Sequence, residues 1–278
     1  MYQQDFLNNP IYYTPLREVW LTSFRLRGCS RACQRLTSVL RIAKIGIMPE
    51  LPELEVAREY LAQRIVNLPI TSAKVCRPVV VRNLLGADLP DHMIGGHFTS
   101  VDRRGKFLLF PLSVGAPAER LWLVIHLMMV GRLRYGEPLK RNRKRDALAL
   151  CLADGTELRY NDTRDMGKVY LTDDVARIPG VSNLGPEATD PALTLDVFSE
   201  RLRRHHREIK SVLTTQTFVA GIGSAYADEI CWRAGIYPYR RRAHLSTDEV
   251  ARLFKAMETV LREAVDILAA EMEELPPG

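Results

Sequence analysis

Residues 48–61 read MPELPELEVAREYL, and their pattern predicts a helix from Pro52 onward. Proline suits a first helical turn because it has no N–H to leave unpaired there. Glu53 and Glu55 suit the positive end of the helix dipole, and Leu54, Ala57, Leu61 and Ile65 recur at helical spacing. The same stretch holds a second signal. Met48-Pro49 resembles an initiator methionine with the residue its removal unmasks, yet 47 residues precede it.

Those first 47 residues differ in character from the rest of the chain. They lack amphipathic periodicity and mix aromatics, arginines and serines. They hold seven cations against two anions, so they supply +5 of the chain's net +6. Arg-rich and acid-poor, the segment reads either as an organelle-targeting leader or as upstream sequence translated from a start assigned too early. Both readings place 1–47 outside the fold. Cys29 and Cys33 have no two further ligands nearby, so they predict no metal site. With the segment set aside the chain is almost neutral, and local clusters of charge, not the total, must argue for a nucleic-acid partner.

The remaining composition is that of a globular protein, 46% apolar and 26% charged over 278 residues. No run of 18 apolar residues predicts a membrane span. Five cysteines at irregular spacing indicate reduced thiols and a cytoplasmic setting; an organelle is expected only if 1–47 is a true leader. Short β-patterned runs come after the first helix at 73–81, 97–104, 106–112, 120–127, 146–155, 156–162 and 167–173, with Asp154-Gly155 as a hairpin turn. So many short strands predict a sandwich or barrel. Proline, glycine and asparagine dominate 176–194, which reads as a linker. Helical patterns fill the rest, ending in a long helix from Thr247 capped by Ser246. The expected class is α+β, with a β-sandwich domain over 48–176, a linker over 177–192 and a helical domain over 193–278.

Three motifs in order, MPELPELE (48–55), RRGKFLLF (103–110) and GIGSAYADEICWRAGIYP (221–238), resemble the formamidopyrimidine-DNA glycosylase family from Met48 to the C-terminus. The resemblance implies excision of oxidised purines, formamidopyrimidine and 8-oxoguanine, from double-stranded DNA. It also implies nicking of the abasic strand by β- and δ-elimination, with the protein working as a monomer. It makes Pro49 the nucleophile, through a free secondary amine that attacks the sugar C1′ and forms a Schiff base. An α-amino group titrates near pH 8, and a helix N-terminus disfavours its ammonium form. A proline inside a chain has a delocalised amide nitrogen and no nucleophilicity. Glu50 is the implied proton donor to the ribose ring oxygen, Glu53 a supporting carboxylate, and Lys106 the turn lysine beside the nucleophile.

For DNA contact the resemblance implies His126 on a phosphate, Met129 as the wedge that fills the gap left by a flipped base, and Arg164 on the orphaned base. Met128 stands where glycine is usual, so which methionine inserts is open. Asp165 and Met166 replace an arginine and a phenylalanine, which puts opposite-base preference in question. FVAGIGSAYADE (218–229) reads as a helix–two-turns–helix hairpin in which Gly221 and Gly223 let backbone N–H groups approach a phosphate. Ser224, in place of the usual asparagine, is expected to cap the next helix, and Lys210 resembles an upstream phosphate-binding lysine. The cation-rich runs RLRRHHREIK and YRRR flank this hairpin and read as backbone contacts; KRNRK reads as a solvated face. No cysteine comes after Cys231, so the paired CxxC zinc finger of the family is expected to be absent, with no cofactor in this chain. Two alternatives remain open on the sequence: a glycosylase for oxidised pyrimidines of the endonuclease VIII type, and a catalytically silent damaged-DNA-binding protein.

Overall fold

A computed structural model describes residues 48–86, 88–115, 119–138, 142 and 145–272; the 1–47 segment with its Cys29–Cys33 pair, and most of KRNRK, lie outside them. Helix α1 (Leu51–Ile65) buries Leu54, Ala57, Leu61 and Ile65, the expected apolar stripe. Its first turn is closed by Glu53, whose Oε2 accepts the Glu50 N–H at 3.0 Å. After it come β1 (Ile70–Val75), β2 (Val81–Asn83), α2 (Leu89–Met93), β3 (His97–Phe98), β4 (Asp102–Arg104), β5 (Phe107–Val114), β6 (Glu119–His126), β7 (Arg132–Gly136), β8 (Asp146–Leu152), β9 (Glu157–Asn161) and β10 (Lys168–Thr172).

The strands form a four-stranded sheet, β1-β8-β9-β7, and a six-stranded sheet, β2-β10-β6-β5-β3, with β4 also on β5. Leu148, Leu150 and Leu158 of the first sheet share one core with Leu108, Phe110, Leu123 and Ile125 of the second, closed by the buried face of α1. Two β-patterned runs are divided in the structure. The run 73–81 is cut at Pro78, which cannot donate to a ladder: a 3₁₀ turn over Pro78–Val80 carries the chain from the first sheet to the second. The run 97–104 splits into β3 and β4. Strand β7, which the sequence pattern does not predict, pairs with β9 through residues of low apolar content such as Arg132 and Arg134.

The segment after β10 packs Ile178 and Val181 on the outer face of the six-stranded sheet, against Phe107, Val124 and Tyr170. Four helices complete the described chain: α3 (Leu195–Arg203), α4 (Ile209–Leu213), α5 (Ser224–Ala234) and α6 (Thr247–Glu271). Ser246 caps α6 as expected, and Glu249 returns a bond to the Ser246 N–H. Helix α6 packs on α5 and also on α1, so the two halves of the fold share a helix interface.

The turn before α5 meets the start of α1 directly. The Leu51 N–H donates to the Gly221 carbonyl at 3.0 Å, and a Cβ on Gly221 would lie 2.7 Å from Leu51 Cδ1. Gly221 has φ +99, which adds backbone strain to any side chain placed there. Gly155, at φ +87 in the β8–β9 turn, has open space around it. Gly155→Ala should therefore cost only the conformational penalty, about 1 kcal/mol. Gly221→Ala should cost about 2 kcal/mol more because Leu51 has to move. Urea unfolding of both variants tests this; equal costs would mean that the α1–hairpin contact is soft.

Candidate active site

The α5 N-terminus presents backbone N–H groups that no residue of its own turn satisfies. Its N-cap is Gly223, which has no side chain. Glu50, 173 residues earlier, fills the role: its carboxylate accepts from the N–H groups of Gly223 (2.5 Å), Ala225 (3.1 Å) and Tyr226 (3.5 Å). Ser224 is therefore the first helical residue and is exposed, not the capping residue that its sequence position suggests. Glu50 is buried, 2% exposed, while Pro49 beside it is half-buried.

Lys106 enters the same space from the turn between β4 and β5. A Cβ on Gly223 would fall 2.2 Å from Glu50 Oε1 and 2.3 Å from Lys106 Nζ. Glycine is required here by close approach, since its φ of −120 suits any residue. Burial pushes the Glu50 carboxyl above the usual carboxylate range, against Lys106 and the three N–H groups that pull it down. Burial lowers the Lys106 ammonium, against Glu50 and Glu53 that hold it up. Glu53 is raised by burial as well, and its Oε1 accepts from the Tyr226 hydroxyl at 2.8 Å. Tyr226, fully buried on α5, is a residue of this site that sequence reasoning misses; a tyrosine inside a helical pattern carries no local sign of a partner on another helix.

A cleft of about 370 Å³ opens beside this cluster, lined among others by Lys106, Lys210, Ser224 and Tyr239. Lys210 Nζ is paired with Asp228 Oδ2 at 2.7 Å. Among the described residues no group of three or more His, Cys, Asp or Glu could hold a metal ion. Cys76, Cys151 and Cys231 lie after β1, on β8 and on α5, and with no such group among them the described residues do not fit a zinc site.

The central strands of the six-stranded sheet end together at this cluster. Phe107 pairs across to His126, and His126 to Lys168. His126 Nδ1 accepts the Met128 N–H at 3.1 Å, and its ring meets Phe107 edge-on at 4.6 Å. Burial, then Lys106 and Lys168, push His126 down to about 4. The ring is thus neutral at pH 7, and with Nδ1 accepting, the proton sits on Nε2 as a donor. Lys168, exposed at the start of β10, is a second residue of this end that sequence reasoning passes over.

Beyond His126 lie the turns that hold Met129 and Arg164. Met129 is 42% exposed, whereas Met128 is half-buried with φ +53. Both turns rest on Tyr160 and Asp162. A Cβ on Gly131 or Gly167 would meet the Tyr160 hydroxyl at 2.8 or 1.6 Å, so the tyrosine lies against both turns. Asp162, buried, accepts from Tyr160 Oη (3.1 Å), Arg164 N (2.9 Å) and Gly167 N (2.7 Å). Arg164 is exposed at the tip. Asp165, which stands where an arginine is usual, is ion-paired with Arg77.

His126 also gives this site a pH signature. Its folded value lies below the ordinary 6.5, so between pH 6.5 and about 4 the unfolded chain binds the extra proton. Stability should then fall with acidification across that window, by at most about 3 kcal/mol from this group. His126→Gln should flatten the profile there; unfolding free energies at pH 7 and pH 4.5 for the two proteins provide the check.

Two family models match the chain, the formamidopyrimidine-DNA glycosylase N-terminal domain over residues 48–169 and the H2TH domain of the same enzyme over 184–274. Curated formamidopyrimidine-DNA glycosylases from Geobacillus kaustophilus and Moorella thermoacetica are 38% and 39% identical over 221 and 220 residues, covering 78% of this chain and 78% of each relative. A crystal structure of the Lactococcus lactis enzyme, noncovalently bound to DNA containing an AP site, superposes with a TM-score of 0.70 at 31% identity, over 78% of this chain and 82% of that one. With the N-terminal motif, the turn lysine and the hairpin glycines gathered around one buried carboxylate, the chain belongs to the formamidopyrimidine-DNA glycosylase family.

Proposed function

We propose that this protein is a base-excision DNA glycosylase and abasic-site lyase that removes oxidised purines from duplex DNA. One observation carries the reading. The carboxylate next to Pro49 lies on the α5 N-terminus and shares the space above Gly223 with the Lys106 ammonium. Three segments far apart in sequence thereby meet at the residue the chemistry needs first. Domain bounds of 48–176, 177–192 and 193–278 belong to the same proposal.

With Pro49 as the first residue, its amine lone pair attacks C1′ of the damaged nucleotide, and the bond from C1′ to the base breaks. The base leaves with the bonding pair and takes up a proton. Glu50, whose carboxyl burial raises above the usual carboxylate range, gives its proton to the ring oxygen as the sugar opens to the iminium. The iminium acidifies C2′, whose proton is lost as the 3′ phosphate departs; a second elimination releases the 5′ phosphate. Lys106 and the Nε2–H of His126 donate to phosphate oxygens at this end of the sheet, and the exposed Ser224 hydroxyl at the start of α5 donates to another. Lys210 reaches the cleft already neutralised by Asp228, so it contributes to a phosphate only by exchanging that partner. Met129 supplies the apolar wedge and Arg164 the contact to the orphaned base. Unstacking a base costs a few kcal/mol, which an inserted side chain offsets.

While Met48 remains attached, Pro49 is acylated by it. That form binds damaged DNA and performs no chemistry. Borohydride trapping on an abasic duplex separates the two states: a chain beginning at Pro49 should give a covalent adduct, and the same chain with Met48 retained should give none. Equal trapping by both would remove Pro49 as the nucleophile. In the Pro49-first chain, Glu50→Gln should slow base release by roughly 100-fold or more. Affinity for an uncleavable abasic analogue should change by less than about 3-fold, because the amide keeps an acceptor for the α5 N–H groups. Equal losses in both would reduce Glu50 to a structural cap.

A further inference from the structure

Glu187 lies in the segment between β10 and α3 and touches none of the residues with a chemical role in the proposed reaction. Its Oε1 accepts the Gly105 N–H at 2.6 Å and Arg104 Nη1 at 2.6 Å, and its Oε2 accepts Arg103 Nη1 at 2.5 Å. Gly105 and both arginines immediately precede Lys106 in the turn. Arg103, only 5% exposed, continues to Glu55 on α1 at 2.7 Å and back to the Gly105 carbonyl at 2.9 Å. Arg104 Nη2 donates to the carbonyls of Leu184 and Gly185.

The backbone around Glu187 is fixed to the other half of the site. Glu187 forms a parallel bridge with Ala220, Ala220 N donates to the Pro186 carbonyl at 2.8 Å, and Gly185 N donates to the Gln216 carbonyl at 2.8 Å. The Gln216 side chain in turn holds Gly221 N and the Ile222 carbonyl at 3.0 and 2.7 Å. A Cβ on Gly105 would stand 3.2 Å from Leu184 and 3.4 Å from Ala220, so turn and segment are in close contact. One carboxylate therefore ties the turn that carries Lys106 to the hairpin that carries Gly221 and Gly223, with α1 attached through Arg103.

We infer that Glu187 is a positioning residue of the glycosylase reaction: it sets Lys106 beside Glu50 by clamping the β4–β5 turn to the helical hairpin. The inference rests on the proposed function. A carboxylate is needed because two guanidinium groups and one N–H converge on it, and an amide in its place leaves a partly buried cation short of its counter-charge. Small displacements of a group that holds a reacting sugar are expensive in rate, on the order of 10- to 100-fold.

The test is a double-mutant cycle in the Pro49-first chain, which retains every described element and both apolar clusters. Single-turnover base release is measured for wild type, Glu187→Gln, Lys106→Gln and the pair, each rate divided by the fraction of molecules that borohydride can trap. Glu187→Gln alone should slow release per trappable molecule by roughly 10-fold or more, while in the Lys106→Gln background it should add less than about 2-fold. Multiplicative effects would overturn the inference, because the clamp would then act without Lys106. So would an unchanged rate per trappable molecule, the mark of a residue that serves folding alone. If Glu187→Gln yields no folded chain, Arg104→Gln, which removes one arm at a side chain 32% exposed, is read by the same two criteria. Wild type that cannot be trapped would sink the proposed function itself, a result distinct from either failure of the clamp.

Discussion

The site depends on a helix that cannot cap itself. Helix α5 has a glycine at its N-cap, and the N–H groups of its first turn point at a buried carboxylate from a distant part of the sequence. Exposed, those groups would be satisfied by water; in a closed interface each would cost free energy. Glu50 satisfies them and is held by them, so a hydrogen-bonding requirement of one helix becomes the device that aims the residue beside Pro49. The constraint propagates outward. Gly223 must lack a side chain because Glu50 and Lys106 occupy the place a Cβ would take, and Gly221 must lack one because Leu51 presses on it.

The same closeness sets the protonation chemistry. A carboxyl raised by burial and an ammonium lowered by burial drift toward each other, which narrows the free-energy gap for moving a proton between positions in the site. Their mutual attraction limits the drift. His126, neutral with its proton on Nε2, adds a donor without adding a cation to an already basic sheet end.

How much of this was legible in the sequence depends on how local each signal is. The first helix, the long capped α6 and the Asp154-Gly155 turn have their causes within a few residues, and they stand where expected. The resemblance brought Pro49, Glu50, Lys106 and the hairpin glycines together, and the fold brings the last three features into one place. What stayed hidden depends on partners far away. Pro78 marks a break, but nothing local says that the chain then changes sheets. Tyr226 reads as a core aromatic until Glu53 is seen 2.8 Å from its hydroxyl. Glu187 sits among prolines and glycines that signal irregular backbone, and its three donors come from residues more than 80 positions earlier. Ser224 resembles a cap because serine usually is one; the capping carboxylate is that of Glu50, the residue before α1.

The departures from the family pattern can be weighed in the same terms. Met128 takes φ +53 where glycine is usual, and Asp165 takes φ +55 where an arginine is usual. Aspartate tolerates that conformation better than most residues, whereas methionine bears a strain of about 1 kcal/mol. Both turns are held from below by Tyr160 and Asp162, which accept or pack against their backbones regardless of the side chains at the tips. The strain is therefore absorbed by a scaffold that the substitutions do not touch. Arg77 neutralises Asp165 within the protein, so the net charge at the tip of this loop is that of the exposed Arg164. A single guanidinium can contact a base edge through two N–H groups, so losing the second arginine removes a further contact and not the bidentate geometry itself.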